Sequence, residues 1–138
     1  MKRDWDLLRK QLTDIEEGRD VFADVPKRLN RPNDMSWAEF DIKVAEQQNA
    51  EARIFGHLEL LIQKRYIDGL SVVRGADNRF SYAVHGPRLT MDGHDLLDTM
   101  RSATIWESIK TTAKKKGVEL TFEAIKVLAG AALKHALG

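Results

Sequence analysis

The hydrophobic positions at the start of the chain follow the period of a helix. Four of them are spaced three, four and three residues apart, which places them on one helical face: Trp5, Leu8, Leu12 and Ile15. Gly18 follows as a stop signal, and residues 18–35 contain Gly, two prolines, Asn and Asp. We therefore predict one helix followed by a long loop.

Residues 36–48, SWAEFDIKVAEQQ, carry two conflicting patterns. Ser36 and Glu39 form a capping box, which is typical of the start of a helix. From residue 40 to residue 44, however, every second residue is hydrophobic, as in a half-buried strand. We predict a short strand at 39–44, with a helix as the alternative.

Residues 49–66 carry the clearest helical pattern inside the chain. Asn49 is a candidate cap, and the apolar face is formed by Ile54, Phe55, Leu58 and Leu61. The opposite face is predicted to display to solvent Glu51, Arg53, Gly56, Glu59, Gln63 and Lys64.

Two strand-like runs then predict a hairpin. They are LSVVR, from residue 70, and RFSYAV, from residue 79, and the GADN between them permits a tight reversal. After Pro87, Thr90 can cap a helix that runs from Met91 to residue 116. A last helix begins at Thr121, with apolar and small residues on more than one face.

This order of elements predicts an α+β fold. A helix, an internal helix, a two-stranded hairpin and a further helix follow the order of a winged helix-turn-helix domain, in which the hairpin is the wing. The 138 residues leave room for one such domain and an appendage. We assign residues 1–100 to the winged-helix-like domain and residues 101–138 to a C-terminal helical extension.

Four motifs connect the chain to a known family: MKRDWDLLRKQL, FGHLELL, LTMDGHDLLD, and TIWESIKTTAKKKG followed by TFEAIKVL. In this order they resemble, over nearly the whole chain, an uncharacterised family called domain of unknown function 2513. The loop at 18–35 is longer than the family pattern. The resemblance implies a winged-helix-like fold and a phage or prophage context. It implies no catalytic residue, because the family has no established activity.

The charge balance alone does not favour nucleic acid, since 22 Lys and Arg residues stand against 21 Asp and Glu. The hairpin is locally basic, and its side chains could contact phosphates or the minor groove. The predicted nucleic-acid contacts are Arg53, Lys64, Arg74, Asn78, Arg79 and Arg88. Glu51 and Glu59 on the internal helix oppose such contact. The alternative is that these charges only keep the helix face and the sheet edge solvated.

The sequence offers little for catalysis or metal binding. It has no cysteine, no nucleophile elbow and no Gly-rich phosphate loop, so we expect neither an enzyme nor a cofactor. Within one helix His94 and Asp98 have a spacing that converges on a metal, and His57 is a candidate third ligand. We expect instead that a buried histidine is hydrogen-bonded at a helix junction, and we predict no metal site.

The C-terminal helix must bury its apolar residues against another surface. The helix at 91–116 or a second copy of the protein can cover it, and we predict a homodimer with an interface at Phe122, Ile125, Leu128 and Leu133. The lysines at 114–116 precede Gly117, where they either complement a helix dipole or contact nucleic acid or an acidic partner.

Together these features predict a non-catalytic phage- or prophage-type regulator or accessory protein that contacts double-stranded DNA through the hairpin and the internal helix. The alternative is a protein-interaction module on the same scaffold that engages or inhibits a host protein. The charged start of the chain lacks a signal-peptide pattern, and no apolar run has the length of a membrane span, so we expect a cytoplasmic protein.

Overall fold

The computed structural model describes residues 1–137, which contain five helices and one two-stranded sheet. In chain order the elements are α1 (Trp5–Glu16), α2 (Trp37–Gln63), β1 (Ile67–Arg74), β2 (Phe80–Leu89), α3 (Met91–Arg101), α4 (Ala103–Lys116) and α5 (Phe122–Leu137). The predicted α+β class agrees with this architecture. The described residues form two compact units, of which the first is Met1–Thr90 and the second begins at Met91.

α1 forms where the hydrophobic spacing predicts it. Asp4 caps its start, since the Asp4 carboxylate accepts a 3.1 Å hydrogen bond from the Leu7 N–H. The predicted face is buried, and Leu8 and Leu12 are fully enclosed. The prediction of this helix is confirmed.

α2 is one continuous helix of 27 residues, so the predicted strand at 39–44 is wrong. The capping box is decisive, because the Ser36 hydroxyl accepts a 3.1 Å hydrogen bond from the Glu39 N–H. A strand needs a neighbouring strand for its backbone hydrogen bonds, whereas a helix forms them within itself. Ile42 is 62% exposed, so the alternating residues face no sheet core. The predicted cap at Asn49 is also wrong, since Asn49 lies inside the helix.

The second half of α2 forms the core of the first unit together with α1 and the hairpin. Phe55 of α2 stacks on Phe80 of β2 with 4.8 Å between ring centroids. Phe22, from the loop after α1, stacks on Tyr82 of β2 at 3.8 Å. These ring contacts hold the hairpin against the helix and give it a fixed orientation.

The predicted solvent face of α2 is correct in part. Its exposed residues are Arg53, Gln63 and Lys64, whereas Glu51 and Glu59 are half-buried. The prediction is wrong for Gly56, which is buried beneath the N-terminal residue. A Cβ atom at Gly56 would lie 2.6 Å from the Met1 sulfur, so the closeness of this contact depends on glycine.

β1 and β2 form the predicted antiparallel hairpin. The pairing extends from Ile67 with Leu89 at the base to Arg74 with Phe80 at the tip. The return strand ends one residue before Thr90, whose backbone N–H donates a 3.0 Å hydrogen bond to the Tyr66 carbonyl. This bond joins the two ends of the hairpin.

Residues 91–116 form two helices, so the single helix predicted there is wrong. Ser102 starts α4, because its hydroxyl accepts a 3.3 Å hydrogen bond from the Ile105 N–H. α4 ends at Gly117, whose φ is 67°, and its last turn holds Lys114, Lys115 and Lys116. The lysine run therefore lies at the negative end of the helix dipole. Side chains of α3, α4 and α5 pack together in this unit, with the most enclosed being Leu96, Met100, Trp106, Ile109 and Ile125.

Candidate functional site

Three of the six predicted nucleic-acid contacts are arginines that form ion pairs within the first unit. The pairs are Arg53 with Asp4, Arg74 with Glu59, and Arg88 with Asp68. The three arginine side chains remain 58%, 61% and 65% exposed. Ion pairs whose arginine is this exposed contribute little free energy, so each arginine can exchange its carboxylate for another anion.

Arg74 is held on two sides at the tip of the hairpin. Its Nε and Nη2 atoms lie 2.9 and 2.7 Å from Oε1 of Glu59, and its guanidinium lies 4.9 Å from the centroid of the Phe80 ring. The hydrogen bond to Glu59 raises the pKa of Arg74 against the opposing effect of burial. Arg74 thus connects β1 to α2 as a structural contact.

The other three predicted contacts lie at opposite ends of the hairpin. Asn78 adopts a φ of 62° in the turn, and the Arg79 N–H donates a 3.1 Å hydrogen bond to the Asp77 carboxylate. Lys64 is exposed at the end of α2, beside the base of the hairpin, where Arg88 also lies. Strands rise about 3.3 Å per residue, so base and tip are roughly 25 Å apart. The structure does not bring the predicted contacts together at one point.

His57 joins α1 to α2. The ring is fully buried; its Nε2 lies 2.7 Å from the Asp4 backbone N–H, and its Nδ1 lies 2.6 Å from the Arg53 carbonyl oxygen. Because a carbonyl only accepts, Nδ1 carries the proton and Nε2 accepts from Asp4. The predicted role of a buried, hydrogen-bonded histidine at a helix junction is confirmed for His57.

His94, the other histidine considered as a ligand, is exposed on α3. Among residues 1–137 the structure contains no group of three His, Asp or Glu side chains placed to hold a metal ion. The His94 and Asp98 spacing therefore gives no site among the described residues.

Asp4 combines three interactions at the start of α1. Burial by itself would raise the pKa of Asp4, but the hydrogen bond from the Leu7 N–H and the Arg53 guanidinium together lower it. The Asp4 backbone N–H is the group that donates to His57. The start of α1 is thus fixed to α2 through both the backbone and the side chain of Asp4.

A polar depression of about 750 Å³ lies beside α1 and is lined by charged side chains. Asp14 is buried there, 2.8 Å from the Lys10 Nζ and 2.9 Å from the Arg19 Nε. The hydrogen bond to Asp14 raises the pKa of Lys10, although burial opposes it. These charges compensate one another, so the cluster fixes the end of α1 to the loop that follows.

An exposed aromatic surface lies at the start of α2. Trp37 is 65% exposed. The Arg31 guanidinium lies 4.3 Å from the centroid of the Trp37 ring, and the Phe40 ring meets Trp37 edge-on at 6.0 Å. Arg31 is itself fixed, since its Nη1 donates a 2.8 Å hydrogen bond to the Met35 carbonyl. We call Arg31, Trp37 and Phe40 the Trp37 surface.

The surroundings of the Trp37 surface are anchored and carry charges of both signs. The Gln47 side chain accepts a 3.3 Å hydrogen bond from the Leu29 N–H and donates to the Lys27 carbonyl, which ties the preceding loop to α2. The same part of α2 exposes three acids and one base: Glu39, Asp41, Glu46 and Lys43. The loop in turn exposes Lys27 and Arg28, so charges of both signs surround the Trp37 surface, and Asp41, four residues after Trp37, is the acid on the same side of α2.

The hydrophobic pattern did not identify Trp37 as a candidate functional residue. The signal that could have done so was the capping box of Ser36 and Glu39, because it starts the helix at residue 37. A tryptophan in that first turn precedes the apolar face of α2 by many residues, which leaves it without a core to join.

The predicted dimer contacts are divided between the interior and the surface of the second unit. Phe122 and Ile125 are 7% and 0% exposed, because α5 packs against α3 and α4. Leu128 is half-buried, and Leu133 is 46% exposed. Leu133 is thus the most accessible of the four.

None of the helices within residues 1–137, α5 included, combines the length and hydrophobicity that crossing a bilayer requires.

The fold and its surfaces define a small α+β protein with a fixed, exposed aromatic surface. A family model described as "Hypothetical protein (DUF2513)" matches residues 2–119. The chain is also 30% identical over 129 residues to an uncharacterized protein of Haemophilus influenzae. The matched region covers 94% of this chain and 92% of that protein. The chain therefore belongs to the DUF2513 family, as its four motifs indicated. No solved structure matches the chain.

Proposed function

We propose that the protein is a non-catalytic accessory or regulatory factor that binds another protein through the Trp37 surface. The 65% exposure of a tryptophan on a capped helix is the observation that carries the proposal. A large aromatic ring held in one orientation loses little conformational entropy on binding. Tryptophan and arginine are also enriched among the residues that dominate protein interfaces, and here Arg31 stacks on Trp37.

The partner follows from the chemistry of the surface. It presents an apolar pocket for Trp37 and Phe40, with a Lys or Arg side chain at its edge to face Asp41, which follows Trp37 by four residues on the same side of α2. The resemblance to phage and prophage proteins makes a bacterial host protein the class of partner that we propose.

The test compares the full chain with a Trp37→Ala variant. Each protein is immobilised and exposed to a bacterial lysate, and proteins retained by the wild type and lost from the variant are then purified. Titration calorimetry of such a partner should show binding weakened about 30-fold or more by Trp37→Ala, as for a residue that dominates an interface.

Val73→Ala is the matched control, since Val73 is 60% exposed on β1, away from the Trp37 surface. The control should bind like the wild type, and circular dichroism should show equal helix content in all three proteins. Equal binding by Trp37→Ala, or a wild type that retains nothing, would contradict the proposal.

Contact with double-stranded DNA is a second candidate, which the order of α1, α2 and the hairpin favours. We propose a winged-helix-type arrangement in which the hairpin is the wing. A helix-turn-helix has two helices in this stretch, whereas here α2 is one continuous helix. The basic contacts therefore fall on the end of α2 and on the hairpin. Lys64 and Arg79 are the candidates there that form no ion pair within the described residues.

Fluorescence anisotropy with mixed-sequence duplex DNA at low and moderate salt tests this candidate. Binding through phosphates should weaken steeply as salt rises, and Lys64→Glu combined with Arg79→Glu should lower the affinity about tenfold. Lys27→Glu combined with Lys43→Glu changes the net charge equally and should have less effect. If the wild type binds no duplex at low salt, the DNA candidate is wrong.

A further inference from the structure

α5 has an exposed stripe opposite its buried face. Phe122, Ile125 and Ala129 face the interior of the second unit. On the other side, residues spaced four, three and four positions apart share one exposed face: Glu123, Val127, Gly130 and Lys134. We call these four residues the α5 stripe.

The two ends of the α5 stripe have opposite charges. Glu123 and Lys134 are separated by 11 positions, or about 16 Å along a helix. Within residues 1–137 neither side chain has an ion-pair partner. Two copies of the stripe that run antiparallel would place each acid beside a base, whereas two parallel copies would place like charges together.

The centre of the α5 stripe also fits a second copy of itself. Val127 is 72% exposed, and a Cβ atom at Gly130 would find nothing within 4 Å, so the surface above Gly130 is open. In the antiparallel register that joins Glu123 to Lys134, Val127 of each copy meets Gly130 of the other. A projecting side chain thus lies over a position without one, which allows the two helices to approach closely.

We propose that the α5 stripe is a homodimer interface, in which two α5 helices pair antiparallel about a two-fold axis. The arrangement is self-complementary, as such symmetry requires, because each contact occurs twice. Leu133 and Leu137, which are 46% and 86% exposed, flank the stripe on one side and are covered by the same pairing. This interface differs from the one predicted from sequence, since Phe122 and Ile125 keep their places inside the unit. It is independent of the Trp37 surface, which lies on α2.

Sedimentation equilibrium of the full chain at several concentrations tests the proposal. The wild type should dimerise. Glu123→Lys and Lys134→Glu should each weaken the dimer about tenfold or more, because each turns two attractive contacts into two repulsive ones. An equimolar mixture of the two variants should form a mixed dimer, since each lysine then faces a glutamate of the other protein. The double variant should also dimerise like the wild type.

Lys115→Glu is the matched control, because it reverses an exposed charge on α4 outside the stripe. It should leave the dimer unchanged, and circular dichroism should show that every variant keeps its helix content. A monomeric wild type would overturn the proposal. So would single variants that dimerise like the wild type, or a mixture that associates no better than its components.

Discussion

His57 shows what a single side chain does in the first unit. Its ring occupies a fully buried site and uses both nitrogens, one for the backbone of Asp4 and one for that of Arg53. The first bond reaches the residue that caps α1, and the second reaches the preceding turn of α2. The position of α1 on α2 therefore depends on a group with a donor and an acceptor on opposite sides of one ring.

We expect His57→Ala to lower the free energy of unfolding by about 3 kcal/mol, through a cavity and an unpaired Asp4 N–H. His57→Phe keeps most of the volume but leaves the Asp4 N–H without its acceptor, so it should still cost about 2 kcal/mol. Urea denaturation of the full chain measures both. His85→Ala, at an exposed histidine of β2, is the control and should change little. A His57→Phe variant as stable as the wild type would show that packing alone holds α1 against α2.

The hairpin is the element whose shape depends most closely on glycine. The strand register shifts between Asp68 and Leu70, and Gly69 there has a φ of 76°. A Cβ atom at Gly69 would lie 2.8 Å from the Gly86 carbonyl carbon on the facing strand. Gly86 has a similar φ of 71°, but a Cβ atom there would meet nothing within 4 Å.

This pair separates backbone strain from steric contact. Gly86→Ala should cost about 1 kcal/mol, because alanine is strained in the left-handed region. Gly69→Ala should cost at least about 2 kcal/mol more, because the two strands must also move apart. Thermal unfolding of the two variants gives the comparison. Equal destabilisation by both substitutions would mean that the strands separate freely at the bulge.

Comparing the predicted helices and strands with the observed ones shows which sequence signals were sufficient to predict them. α1 and the hairpin were predicted correctly, because one has a helical hydrophobic face and the other has a turn between two strand-like runs. The start of α2 was not predicted correctly. The alternation of hydrophobic and polar residues at 40–44 belongs to side chains outside the core, where spacing carries no information about burial. The Ser36 cap was the reliable signal, since it reports a local hydrogen bond rather than a distant contact.

The candidate site was less predictable than the elements, because it depends on which groups the whole fold brings together. Arg74 was predicted as a nucleic-acid contact from its place in a basic hairpin, yet its partner Glu59 is 15 positions earlier on another element. Asp4 and Arg53 are separated by 49 positions. Sequence shows a balance of charge but not its pairing, so surface function could be inferred only after the ion pairs were known.

The division of the molecule leads to a prediction about its fragments. The aromatic contacts of Phe55 with Phe80 and the bond of His57 to Asp4 all lie within residues 1–90, so we expect this fragment to fold with α1, α2 and the hairpin intact. A fragment of residues 1–100, the domain predicted from sequence, adds most of α3 without the helices that bury its apolar side chains.

Proton–nitrogen correlation spectra of the two fragments provide the measurement. Residues 1–90 should give dispersed signals at the positions found in the full chain. In the longer fragment, residues 91–100 should give signals typical of an unfolded segment, because Leu96, Leu97 and Met100 lose the α4 and α5 surfaces against which they pack. If residues 91–100 are ordered in the longer fragment and residues 1–90 fail to fold without them, α3 belongs to the first domain, as the sequence alone suggested.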